Sequence, residues 1–343
     1  MSKDPARVKA REPSTIIAVV PHLLGFHPAS SLVILGVAGP HGRVRLAFRY
    51  DLPNPPDQAA TREIAEHAVS VFGREHLTAA VVIGYGTGEL VTPVTDVIRH
   101  HLPRAGIRLG DVLRVQDGRF WSYLCPDPSC CPPEGTPVNP AHPASIALDG
   151  LGLPAAASRD DIAAAIAPVT GDHADQMTQA TRDAELAHAD QVATVGADGA
   201  WSQLMSAARD AIACYRDGGT ITDHLQLARI ALALTALPIR DDAWARMQPR
   251  HCQNHLQLWT NLTRHAQPRY VAGPASLLAF TAWQEGDGAL GIIALDRAQA
   301  DDPDYTMAQL LRYALTAGLP PSAARLSMTP EEVADSYRRQ NQQ

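Results

Sequence analysis

The rhythm of apolar and polar positions changes near residue 150. Before it, short apolar runs bounded by turn residues alternate with stretches of helical period. Residues 15–24 read as a helix capped by Ser14 and ended by Gly25. Residues 31–37 form a strong strand run. The turn Gly39-Pro40-His41-Gly42 then leads into the partly alternating residues 44–50, which predicts a hairpin. Prolines 53, 55 and 56 break the chain. Residues 57–72 place Ile64, Ala65, Ala68, Val69 and Phe72 on one helical face. Residues 77–84 predict a buried strand, and residues 89–102 a helix with Pro93 near its start. Residues 112–115 and 119–124, around Gln116-Asp117-Gly118, predict a second hairpin. Strands and helices in the order ββαβαββ give an α/β domain: a mixed sheet covered by helices.

After residue 150 the pattern is helical throughout. Ser158 with Asp161, and Thr329 with Glu332 around Pro330, have the spacing of capping boxes. Residues 225–234 are apolar on nearly all sides, which predicts a central helix. Residues 274–303 have the form of one tetratricopeptide-like hairpin: Gly286-Asp287 makes the turn, small alanines allow close approach, and Asp302-Pro303 ends it. Residues 201–237, with Gly218-Gly219 between helices, are a weaker second hairpin. The expected organisation is a flexible tail over residues 1–13, an α/β domain over 14–150, and an all-α helical-hairpin bundle over 151–343.

Composition narrows the function classes. At 343 residues, 45% hydrophobic and 19% charged, the chain has material for two packed cores. The net charge is −7 and the arginines are scattered, which argues against nucleic-acid binding. Lys3 and Lys9 are the only lysines, a bias expected of a GC-rich coding genome. Residues 15–24 are too short to span a bilayer, contain Pro21 and lack the form of a signal peptide, so no membrane association is expected. Three of the five cysteines crowd into residues 125–131, unlike a spread disulfide framework, so a cytoplasmic location is expected.

Candidate chemistry centres on residues 121–137, which hold Cys125, Cys130, Cys131 and five prolines. Thiolates from these cysteines suit zinc, the candidate cofactor, with His142 or His101 as a fourth donor. Against it, the usual second cysteine pair is missing and two cysteines are adjacent. The competing readings are an activated thiol and a proline-stiffened structural loop. Ser122, Tyr123 and Glu134 are ligand-binding candidates in the same segment. A second candidate is Gly84-Tyr85-Gly86-Thr87-Gly88, a strand-to-helix turn where backbone N–H groups favour anions; it is neither a complete dinucleotide fingerprint nor a P-loop. A third is the set His22, His27, Ser30 and Ser31, as base and nucleophile; a helix end followed by a turn explains the same residues. His251 and His255 sit four apart beside Cys252, but without the glutamate of a zinc-protease motif they read as an ordinary helix face. Trp244, Trp259 and Trp283 read as packing residues.

Residues 21–33 (PHLLGFHPASSLV), the Gly84-Tyr85-Gly86 turn, residues 121–137 (WSYLCPDPSCCPPEGTP) and residues 274–290 (PASLLAFTAWQEGDGAL) resemble the actinobacterial domain of unknown function 4192 family, over roughly residues 13–320. The resemblance implies an actinobacterial, intracellular source and no activity or site residues. The leading expectation is a non-enzymatic interaction or ligand-binding module, meeting a protein partner through its helical half. The alternatives are an enzyme sited around His27, Gly84–Gly88 and the cysteine loop, and a zinc-binding module. The enzyme reading requires those three segments to share one cleft.

Overall fold

The computed structural model describes residues 12–39 and 43–340. The expected tail, apart from its last two residues, and the turn tip at residues 40–42 lie outside them. Two compact units divide between Asp161 and Ile162.

In the first unit, α1 (Pro13–Leu24) precedes β1 (Ser31–Ala38), β2 (Arg43–Asp51), α2 (Gln58–Arg74), β3 (Ala79–Tyr85) and α3 (Gly88–Arg104). β4 (Arg108–Gln116), β5 (Arg119–Ser122), β6 (Thr136–Pro137) and α4 (Pro143–Gly150) follow. The sheet runs β2-β1-β3-β4-β5-β6 and is mixed: only the β3–β4 pair is parallel. Side chains alternate across it. Leu32, Ile34, Val82 and Val112 pack with Ala65, Phe72, Val91 and Ile98 of α2 and α3. Val33, Leu35, Ile83 and Leu113 pack with Ile17 and Val20 of α1. Burial on both faces explains why β1 and β3 are continuous apolar runs.

Local chemistry sets the element ends. Asp57 caps α2, accepting from the N–H groups of Ala59 (2.7 Å) and Ala60 (3.3 Å). Asp117 and Gly118 both take positive φ (49° and 71°), so β4 and β5 close through the Asp-Gly turn the sequence predicts. Ser14 is not a cap: α1 begins at Pro13, whose ring presets the first helical φ, and Glu12 occupies the cap position. Pro93 is the sixth residue of α3, inside the helix, where it withholds one N–H from the ladder. α4 and β6 were not foreseen, and β5 ends at Ser122, two residues earlier than expected.

In the second unit, α5 (Arg159–Ala165), which crosses the boundary, leads to α6 (Asp172–Arg216), α7 (His224–Ala233), α8 (Leu237–Ala245), α9 (Cys252–His265) and α10 (Ala272–Gln284). α11 (Gly288–Asp301), α12 (Thr306–Thr316) and α13 (Pro330–Gln340) complete it. The Thr329–Glu332 capping box closes in both directions, and Ser158 makes the cap half of the other. Ser158 Oγ accepts from the Asp161 N–H at 3.2 Å, and in the other box the Thr329 N–H donates to Glu332 at 2.8 Å. α6 is broken at Gly196, with φ 79° and ψ 167°. The central helix is α10, not α7. Every residue from Ala272 to Trp283 is buried, whereas α7 leaves Leu225 42% exposed because Gln226 and Arg229 keep one side in water. α10 and α11 form a tight hairpin. A Cβ at Gly291 would stand 3.4 Å from the Ala279 carbonyl, and Asp301 of α11 accepts from the N–H groups of Val271 (2.9 Å) and Ala272 (3.0 Å) at the start of α10. Among the described residues, no helix is long and apolar enough to cross a membrane.

Candidate functional site

The cysteine loop is built from two polar side chains. Ser122 Oγ donates to Asp111 (2.9 Å) and accepts from the N–H groups of Leu124 (3.2 Å) and Cys125 (3.3 Å), turning the chain off the end of β5. Asp127 then organises a tight turn. Its carboxylate accepts from Ser129 N (2.9 Å) and Oγ (2.7 Å), and its carbonyl from the N–H groups of Cys130 (3.2 Å) and Cys131 (2.7 Å). The result brings the sulfurs of Cys125, Cys130 and Cys131 within 4.8 Å of one another. The adjacency of Cys130 and Cys131, which counts against a shared ion in the sequence, does not keep their sulfurs apart. All five cysteines are free thiols.

The three thiols are electrostatically unequal. A hydrogen bond from Cys131, followed by one from the Asp127 backbone, lowers the Cys125 pKa. Cys131 moves the opposite way, to about 12, because of its bond to Cys125, then burial, then its bond to Cys130. One thiolate forms first and suppresses ionisation of its neighbour. A bound cation would favour the thiolate form of all three by displacing their protons.

Neither proposed histidine donor stands with the sulfurs. His142 is the N-cap of α4: its Nδ1 accepts from the Ala144 N–H at 3.1 Å, and its Nε2 lies 3.4 Å from Thr15 Oγ1 on α1. His101 Nδ1 bonds the Val97 carbonyl at 2.9 Å within α3.

An aromatic and cationic platform joins the loop to the glycine turn. Trp121 donates from Nε1 to the Pro133 carbonyl at 2.9 Å. Its ring lies so close over Gly135 (φ 82°) that a Cβ there would meet it at 2.5 Å. The Arg114 guanidinium sits 3.8 Å from the centre of the Trp121 ring. Arg114 Nη1 would lie 3.2 Å from a Cβ at Gly88. Tyr123 bonds Thr92 of α3 through their hydroxyls at 2.7 Å. Thus Gly88, Arg114, Trp121 and Tyr123 share the α3 side of the sheet. Sequence reasoning missed Arg114. The signal was present: counting outward from the Asp117-Gly118 turn pairs Arg114 with Trp121.

The other candidates go elsewhere. A Cβ at Gly84 would stand 2.2 Å from Val91, so this glycine lets α3 approach β3. The Tyr85 ring belongs to the α1-side core, and its buried hydroxyl has no partner among the described residues. The Gly86 N–H is spent on the Val115 carbonyl at 2.9 Å. The His27 N–H bonds the Ala156 carbonyl at 3.0 Å, tying this turn to the segment after α4, which packs on α1. His27 and Ser30 are exposed, and the Ser30 carbonyl holds the Leu52 N–H at 3.0 Å. Glu134 is exposed and offers its carbonyl to Arg119 at 3.4 Å. Arg114 and Trp121 thus link Gly88 to the end of the cysteine segment at residues 133–135, and His27 is tied to Ala156. Farther along the chain, Trp259 and Trp283 are buried packing residues.

A family model described as "Domain of unknown function (DUF4192)" matches residues 13–322. No curated protein and no solved structure matches the chain.

Proposed function

Because the chain belongs to the DUF4192 family, whose description names no activity, we propose a function from its own geometry: a binding module for a thiophilic divalent cation, zinc foremost, held by Cys125, Cys130 and Cys131. The observation that carries this reading is the convergence of the three sulfurs within 4.8 Å. Zinc takes thiolate sulfur at about 2.3 Å in a tetrahedral set, and three thiolates leave one position for an outside ligand. Arg114 and Trp121 beside the loop offer that ligand a cation and an aromatic face. Free thiols fit a reducing compartment, the cytoplasm.

The test is a cadmium or zinc titration of the full chain under reducing conditions, followed through the thiolate-to-metal charge-transfer band. One ion per chain is expected, and Cys130→Ser should weaken binding at least about tenfold, the loss that even an outer-shell change produces. Binding should strengthen as pH rises, because the ion competes with protons. Reduced protein that takes up no cation would end the proposal.

A second reading concerns the helical unit: a tetratricopeptide-like module that meets a protein partner. The α10–α11 hairpin supports it, as do Leu310 and Tyr313, which lie three residues apart on α12 and are 62% and 70% exposed. Full-length chain carrying Leu310→Ser and Tyr313→Ser should lose partners that the unaltered chain captures from native extract. Identical recovery by both proteins would contradict it.

A further inference from the structure

The second unit holds a cleft of about 580 Å³ with no role in the readings above. Its wall carries Arg209, Arg216, Arg246, Arg250, His251 and His255. Two carboxylates, Asp210 and Glu331, also line it.

The arginines at the floor are held by a single buried acid. Asp242 is 2% exposed and accepts four hydrogen bonds. Arg209 gives two, from Nε (3.1 Å) and Nη2 (2.6 Å). Arg246 gives two more, from Nε (2.7 Å) and Nη2 (3.2 Å). Burial alone would raise the Asp242 pKa, but these bonds outweigh it and hold the group ionised. Two guanidiniums on one carboxylate leave a positive surplus, and the Nη1 group of each takes no part in this pairing. Their positions are fixed before any ligand arrives, which lowers the entropy cost of binding.

The rim adds two further guanidiniums. Arg250 and Arg216 are exposed there, the latter 3.3 Å from Asp217. Thr329 and Pro330, which open α13, also line the cleft, beside Glu331 of the same first turn. The volume lies within the range of small-molecule sites. Asp242, Asp217, Asp210 and Glu331 balance the four arginines in formal charge, so the cleft offers guanidinium forks rather than net positive charge.

We propose that this cleft binds a small phosphate-bearing anion, its charged group seated between Arg209, Arg246 and the rim arginines. Guanidinium forks match phosphate oxygens in pairs, which favours phosphate over a monovalent anion.

The test is calorimetric titration of the full chain with inorganic pyrophosphate and, separately, adenosine 5′-monophosphate. Arg216→Ala and Arg250→Ala change exposed rim residues. Arg338→Ala, on an exposed residue absent from the cleft lining, is the control. Saturable binding that weakens with salt is expected, with each rim variant losing about tenfold or more, the value of one charged hydrogen bond, and the control unchanged. Pyrophosphate binding alone assigns the cleft to a free anion; binding of the nucleotide as well assigns it to a phosphorylated metabolite. Failure of both probes to bind at millimolar concentration, or unaltered affinity in both rim variants, overturns the proposal.

Discussion

At the scale of single residues, His255 shows how burial sets a protonation state. It is 4% exposed, and burial, followed by the nearby His251, pushes its pKa down to about 4. A histidine with a depressed folded pKa binds its proton more readily when unfolded. Its contribution is intact above pH 6.5 and is lost as pH falls from there toward 4. Between neutral pH and pH 4.5, urea unfolding should show a loss of at most about 3 kcal/mol assignable to this group. His255→Gln should flatten that part of the pH profile, and an unchanged slope in the variant would refute the assignment. The sequence marked His251 and His255 as a helix face, but it could not show that one is buried. That depends on tertiary packing around the cleft it lines. Arg114 teaches the complementary lesson. Its partner was readable by counting across a turn, because an Asp-Gly turn fixes register.

Among the elements, the turn between β3 and α3 works as a close-packing joint. Gly84 faces Val91 at a distance that leaves no room for a methyl group. Gly84→Ala should therefore destabilise the first unit by about 1–3 kcal/mol, the usual cost of overpacking. Gly150→Ala, at the end of α4 with nothing within 4 Å of its added Cβ, should be close to neutral. Thermal unfolding of the two variants checks the contrast; equal melting temperatures would show that α3 shifts freely. The glycines were visible in the sequence as a possible anion loop. Packing explains Gly84 and a backbone bond occupies Gly86. Elements with strong periodicity and chemical end signals (α2, β1, β3 and α13) were legible in advance. α4 and β6 were not. α4 has one buried residue and is fixed by contacts from α1, including His22 to Ser145 at 2.8 Å. β6 has two residues and exists because Trp121 and Arg119 hold the returning chain.

For the whole molecule, two units were legible because the change from mixed to purely helical rhythm is a property of long segments. Contacts put the boundary at Asp161 and Ile162, eleven residues beyond the expected position, because α4 and the bridge from Phe26 to Ala156 join the first unit. The cysteine loop was legible as an odd composition and not as a geometry. Asp127, a residue without metal-binding interest in the sequence, is what turns the backbone so that neighbouring cysteines face the same point. The same holds for the arginine-lined cleft, whose arginines are separated by up to 41 positions along the chain.

X-ray absorption at the zinc edge of the loaded, reduced protein tests the thiolate centre most directly. Three sulfur scatterers at about 2.3 Å and one lighter neighbour are expected, falling to two sulfurs in Cys130→Ser. A shell made only of nitrogen and oxygen, or a protein that releases all its zinc on simple dialysis, would contradict it.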